Sequence, residues 1–349
     1  MWTRASGVSA SAGDGAVGEA QAEGRSLYRP STYQDMVEDA SAALRRALEI
    51  ADRAGEREGQ GRERGGGVAS SRWLEIQMPS LPGGLEMEQR GSSDDFQAAN
   101  IRLAMAAAKR LDRDRYKDVA IVMPDEGEKK FYGKQMQTAL DYIPGLRLEA
   151  LTDVNGDGIG SFFSSMFGGA DESKTKRKAD IYFFVNASTV ELPMLERFID
   201  EIVGEGTPAV AFNLELDTLR SDLGLFGFPP KALHYTFLSQ FLPVYYIRQR
   251  DYSKTIAEPP FVCNYSGMLF REYPAPWQVM LKQSDGSFAC VAEDSNRFTL
   301  FDVKEELANA AGLNMESEGS TMAFLRRGYK RATWWEEDLA DEKSNLWRS

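Results

Sequence analysis

Hydrophobic positions change period along this chain, and the changes mark its elements. In "PSTYQDMVEDASAALRRALEIADRAG", Met36, Val37, Ala40, Leu44, Ala47, Leu48 and Ala51 recur at i, i+3, i+4 spacing, which predicts one apolar stripe on a helix. Ser31 or Thr32 is placed to cap it, with Asp35 in the first turn, where negative charge suits the helix dipole. Beyond it the pattern alternates. Residues 72–79 ("RWLEIQMP") predict a strand and 94–111 a helix; 118–124 ("DVAIVMP") predict a strand and 126–140 a helix. "LRLEALTD" is a strand, "DIYFFVN" (180–186) another, "TVELPMLERFIDEIVGEG" a helix, and 208–216 ("PAVAFNLEL") a strand. Near-continuous apolar strands alternating with helices imply a parallel sheet covered on both faces, a Rossmann-like three-layer α/β fold.

The last third is β-rich. "PVYYIRQRDYS", "FVCNYSGMLFREY" and "WQVMLKQSDGSFACVAE" predict strands, with Asp285-Gly286 as a hairpin turn. These hairpins are expected to extend or flank the parallel sheet. "TLFDVKEELANAAG" predicts a short helix, started by Thr299 with Asp302 and stopped by Gly312. Residues 1–27 are rich in Ala, Gly and Ser without periodicity and are expected to be disordered. Residues 28–312 are expected to form one domain, with a flexible linker at 53–70 and a mobile glycine-rich loop at 154–179; 313–349 form a basic, aromatic tail.

The apolar run Leu223 to Ile247 carries one formal charge, Lys231. Pro229, Pro230 and Pro243 break it, so a buried helix plus a strand explains it better than membrane contact, and no transmembrane span is expected. Net charge is −12, which opposes sequence-independent binding to nucleic acid, because that needs a cationic face.

The chain has one histidine, His234, and two cysteines, Cys263 and Cys290. That inventory excludes a zinc cluster and leaves any Ser-His-Asp or Cys-His site dependent on His234, which sits among apolar residues without a nucleophile motif. The cysteines read as reduced thiols, with a redox pair as the alternative.

"TDVNGDGIGSFFSS" (152–165) resembles two loops in part. Asp153, Asn155, Asp157 and Gly158 match the first half of a calcium loop, but position 8 is Gly160 and position 12 is Ser164 instead of the bidentate Glu. As a dinucleotide loop it has its third glycine one place early, and no acidic residue ends the next strand. No cofactor is expected, and the three polar residues remain weak metal candidates. Ligands of open α/β sheets bind beyond the strand C-termini. Asp125, Asp153, Asn186, Asn213, Glu215 and Asp217 are expected there, with helix capping as the competing role.

The tail combines Arg326, Arg327, Lys330 and Arg331 with Tyr329, Trp334, Trp335 and Trp347. Arg and Trp dominate interface energetics, so Arg326, Arg327, Tyr329, Trp334 and Trp335, with Phe162 and Phe163 of the glycine-rich loop, are partner-binding candidates. The competing reading folds Trp334-Trp335 back onto the domain.

Three blocks carry a resemblance: the entry helix "PSTYQDMVEDASAAL", the strand "RWLEIQMP", and "YPAPWQVMLKQSDGSFACVAE" at 273–293. In the last, Pro274 and Pro276 fix the backbone, Trp277 anchors it and Asp285-Gly286 turns it back. Together these blocks resemble a plastid and cyanobacterial family of unknown domain function that includes the chloroplast low-PSII-accumulation protein, a photosystem II assembly factor. The resemblance spans about residues 28–312. It implies a non-enzymatic accessory or assembly factor in the chloroplast, in the stroma or peripheral to the thylakoid, binding a photosynthetic membrane-protein complex or its assembly intermediate. It brings no catalytic residue. The alternatives are a small-molecule or nucleotide-binding enzyme with its site at the strand ends, and a structural subunit of a photosynthetic supercomplex.

Overall fold

The computed structural model describes residues 22–59, 71–79, 93–151, 178–204, 206–256, 259–313, 332–337 and 340–349. Ten strands make one sheet: β1 (Leu27–Tyr28), β2 (Trp73–Gln77), β3 (Val119–Met123), β4 (Leu146–Ala150), β5 (Ile181–Phe184), β6 (Ala209–Phe212), β7 (Leu242–Thr255), β8 (Val262–Glu272), β9 (Trp277–Lys282) and β10 (Phe288–Asp294). Their order is β1-β10-β9-β8-β7-β2-β6-β5-β3-β4.

From β7 to β4 every pairing is parallel, and from β7 back to β1 every pairing is antiparallel. The C-terminal hairpins therefore extend the sheet. β7 joins the halves, pairing parallel with β2 and antiparallel with β8. Numbered by themselves, the six parallel strands run 3-2-4-5-1-6, which differs from the dinucleotide-binding order 3-2-1-4-5-6.

Helices cover both faces. On one lie α1 (Tyr33–Gly59), α2 (Ser93–Lys109) and α3 (Glu126–Asp141). The α1 stripe is the predicted one: Val37, Ala40, Leu44, Ala47 and Leu48 are buried against β7 and β8 residues such as Val244, Ile247 and Phe270. The helix also runs through Gly59, seven residues into the segment expected as linker. On the opposite face, α4 (Leu192–Phe198), α5 (Leu216–Asp222) and α6 (Ala232–Thr236) pack on Val122, Phe184 and Ala211. There α7 (Leu300–Ala310) covers the antiparallel half, setting Val303 and Leu307 on Leu269 and Val279. The fold is the three-layer α/β arrangement that the alternation requires.

The N-terminal end departs from expectation, and the C-terminal end follows the fold-back reading. Order includes residues before 28: Arg25 donates to Glu272 (2.6 Å) and Asp39 (2.8 Å), and β1 pairs with β10. At the other end, α8 (Trp334–Glu337) and residues 340–349 fold back onto the sheet. Trp335 and Trp347 are 0% and 1% exposed.

Asp285-Gly286 forms the expected turn. Gly286 takes φ 83°, a left-handed conformation that glycine adopts without a Cβ penalty, and Ser287 N–H donates to Asp285 Oδ1 (3.0 Å). Cys263 and Cys290 are free and half-buried. They lie on β8 and β10, with β9 between. Strands two apart are separated by about 9–10 Å, beyond the roughly 7 Å Cα limit for a disulfide. The sheet keeps this pair apart.

Candidate functional site

The chain leaves β2 for α2 on one face and leaves β6 for α5 on the other, so the layers part between β2 and β6, where an open α/β sheet receives ligands. The same parting occurs between β3 and β5. Side-chain amides fill both places. Gln77 Nε2 and the Met78 N–H each donate to Asn213 Oδ1 (3.0 Å), and Gln77 Oε1 accepts from the Glu215 N–H (2.9 Å). Asn213 Nδ2 donates to Asn100 Oδ1 (2.7 Å), and Asn100 Nδ2 to Asn186 Oδ1 (3.2 Å). Asn186 and Asn213 hold φ near 60° and 53°, in a region that Asn tolerates better than most residues. Each amide is thus consumed by another, leaving a structural chain rather than a reactive group.

Other strand-end residues also have structural partners. Asp125 caps α3, its carboxylate accepting from Glu128 N–H (2.9 Å). The Glu191 carboxylate reaches back to Ser188 N–H (2.9 Å), as their spacing requires. Asp217 is not at the crevice mouth but deep in the interior. It accepts from Arg220 (2.8 Å), Arg297 (2.5 Å), Tyr246 Oη (2.6 Å) and Arg248. Burial by itself would raise its pKa; Arg297, Arg248 and Arg220 overcome that and hold the carboxyl well below the usual range.

The folded-back tail closes over this cluster. The Arg220 guanidinium lies 4.9 Å from the Trp347 ring centroid and 5.7 Å from that of Trp335. That of Arg297 lies 4.7 Å from the Tyr246 ring and 5.1 Å from the Trp277 ring. Trp277 Nε1 donates to the Arg348 carbonyl (3.1 Å), and Arg297 N–H to the same oxygen (2.7 Å). Glu75, two residues before Gln77 on β2, is 1% exposed, and neither carboxylate oxygen accepts a hydrogen bond among the described residues. Burial raises its pKa to about 7 against the pull of Arg220, Arg297 and Arg248.

Trp335 therefore belongs to the interior, and with it the reading of this residue as a docking contact is replaced by the fold-back reading. Trp334 is half-buried beside Lys231, whose ammonium lies 4.5 Å from its ring. Asp153, Asn155, Asp157, Phe162, Phe163, Arg326, Arg327 and Tyr329 lie outside the described residues. Among the described residues no group of three His, Cys, Asp or Glu could hold a metal ion. His234 is the packing histidine expected: fully buried, its Nε2 2.9 Å from Glu342 Oε1, its ring edge-on to Trp334 and Trp347. Burial pushes its pKa down against that hydrogen bond.

Two features went unread in the sequence. The first is a cavity of about 360 Å³ beside the amide chain, between the end of β2, the middle of β7 and the start of α5, with Arg248 and Arg250 in its wall. The second is the loop after α5. The run 223–247 was expected to be buried, yet Leu225, Phe226 and Phe228 are 55%, 105% and 41% exposed. This loop is closed by hydrogen bonds: Gly224 N–H to Pro229 O (2.8 Å), Leu225 N–H to Asp222 O (3.1 Å) and Phe228 N–H to Leu225 O (3.1 Å). Gly224 and Gly227, at φ 81° and 85°, supply left-handed turns that a residue with a Cβ resists. The signal was present in "GLFGFPP", where glycine and proline punctuate the apolar residues. Among the described residues no helix is long and apolar enough to cross a membrane.

No curated protein and no solved structure gives a significant match to this chain. One family model, described as a domain of unknown function, DUF1995, matches residues 30–305. That range takes in every strand from β2 to β10 and all three blocks on which the resemblance rested, and the chain belongs to the DUF1995 family.

Proposed function

We propose that the protein is a non-enzymatic plastid accessory or assembly factor that binds a thylakoid photosynthetic complex, of photosystem II type, by protein–protein contact. The observation that carries this reading is the closed loop presenting Leu225, Phe226 and Phe228 to solvent. A contiguous exposed apolar tip marks an interaction site more often than an accident of composition. Its hydrogen-bonded closure means that little ordering entropy is lost on docking. Burying such side chains gains roughly 1.5–3 kcal/mol each, sufficient for an anchor. Its occupant is an apolar groove on a protein, because a chain of net charge −12 is repelled by an anionic bilayer. The family resemblance supplies the plastid setting, in the stroma or peripheral to the thylakoid.

The test is recovery of photosystem subunits from thylakoid extract by the full chain and by the double variant Phe226→Ser, Phe228→Ser. The wild type retains them and the variant loses them. Equal recovery by both rejects the loop as the contact.

A further inference from the structure

The cavity between β2 and β7 is bordered by a cluster of arginines gathered on one carboxylate. Arg248 and Arg250 are in its wall, as are Glu215 and Asp217, the latter bonded to Arg248. Directly behind Asp217 stand Arg220 and Arg297, both donating to the same carboxylate as Arg248. Three guanidinium groups thus converge on the Asp217 carboxylate, and Glu336 adds a second carboxylate near Arg297. Glu75, without a donor among the described residues, is held toward its neutral form. Buried charge without a counterion is costly.

Arg220 and Arg297 spend their remaining faces on aromatic rings. Arg248 has no ring over it among the described residues, and Arg250 is exposed and makes no ion pair there. The unpartnered Arg220 Nε and Arg297 Nε and Nη1 are buried, so Arg248 and Arg250 are the guanidinium groups of the cluster that solvent reaches. A guanidinium fork suits a carboxylate or a phosphate. The accessible rest of the wall is polar, with Thr218 and Gln249 exposed. A volume near 360 Å³ falls within the range of small-molecule sites.

We propose that this cavity binds a small organic anion, with one carboxylate or phosphate head held by Arg248 and Arg250. The site is separate from the docking loop, none of whose exposed residues lines it, so neither reading depends on the other.

Isothermal titration of the full chain with phenyl phosphate, benzoate and uncharged benzyl alcohol tests it. At least one of the anions binds with Kd below about 1 mM, and benzyl alcohol binds at least about tenfold more weakly. Arg250→Ala, a change at an exposed side chain, weakens the anion about tenfold or more without moving the thermal midpoint. The proposal is overturned by silence of both anions up to about 10 mM, by equal affinity in Arg250→Ala, or by benzyl alcohol binding as tightly as the anions.

Discussion

Replacing Glu75 by glutamine isolates what the fold loses by burying a carboxylate without a donor. In the unfolded chain this group ionises near 4.5, and in the fold burial raises it to about 7. Folding therefore favours the protonated form. The stabilising contribution is fully present below pH 4.5 and is lost as pH rises through about 7. At about 1.4 kcal/mol per pKa unit, the deficit above that window is roughly 3 kcal/mol. Glutamine has the same shape and no charge to bury. Any constant penalty for its amide cancels when two pH values are compared. The stability of Glu75→Gln relative to wild type should thus be more favourable at pH 8.5 than at pH 5.5 by roughly 2 kcal/mol, measured by urea unfolding at both. A pH-independent difference, or a variant that loses ground at pH 8.5, would mean that Glu75 is ionised and paired with the arginines. That result would also lower the positive charge behind the anion site.

Other perturbations reach different parts of the structure. Trp347→Ala removes an indole that is 1% exposed and should cost roughly 3–5 kcal/mol in urea unfolding; a loss under about 1 kcal/mol would mean that the tail does not pack. For the same reason, cutting the chain before Trp334 is not a clean test of partner binding. Gly267 lies against β9 and α7: a Cβ there would meet the Met280 carbonyl at 2.6 Å and the Leu307 side chain. Gly267→Ala should therefore cost about 1–3 kcal/mol and lower the thermal midpoint; an unchanged midpoint would contradict the close approach of α7. Under mild oxidant the folded monomer should keep both cysteines as unlinked thiols, since β9 separates their strands. An intact-mass loss of two hydrogens, with Cys263 and Cys290 joined in the peptide map, would refute that sheet order.

Local periodicity made the elements legible. The α1 stripe, the apolar run Val119–Met123 and the Asp285-Gly286 turn each follow from a few neighbouring residues. What periodicity does not encode is which distant elements meet. Asp217 read as a strand-end carboxylate because nothing nearby announces Arg297, 80 residues on, or Arg248, 31 residues on. The tail read evenly as docking or fold-back because its answer lies in the contact of Trp277 with Arg348, 71 residues apart. Helix α1 overruns the expected linker because Glu, Arg and Ala at 51–58 are good helix formers, and Gly55 and Gly59 weighed too heavily against them. Asn186 and Asn213 were correctly placed at strand ends, but their mutual saturation depends on Asn100, on a helix that sequence distance separates from both. The loop 225–228 was misread for the opposite reason: hydrophobicity was taken as burial, although proline and glycine had already excluded the helix that would bury it.

The account rests most heavily on Phe226 as a contact residue, and site-specific photo-crosslinking in intact plastids tests that directly. A benzophenone side chain placed at position 226 should link this chain to subunits of a photosynthetic complex. The same probe at Tyr142, an aromatic that is 81% exposed at the C-terminal end of α3, should not. Identical crosslink patterns from the two positions, or none to any photosynthetic subunit from 226, would contradict the assignment of this loop as the docking surface.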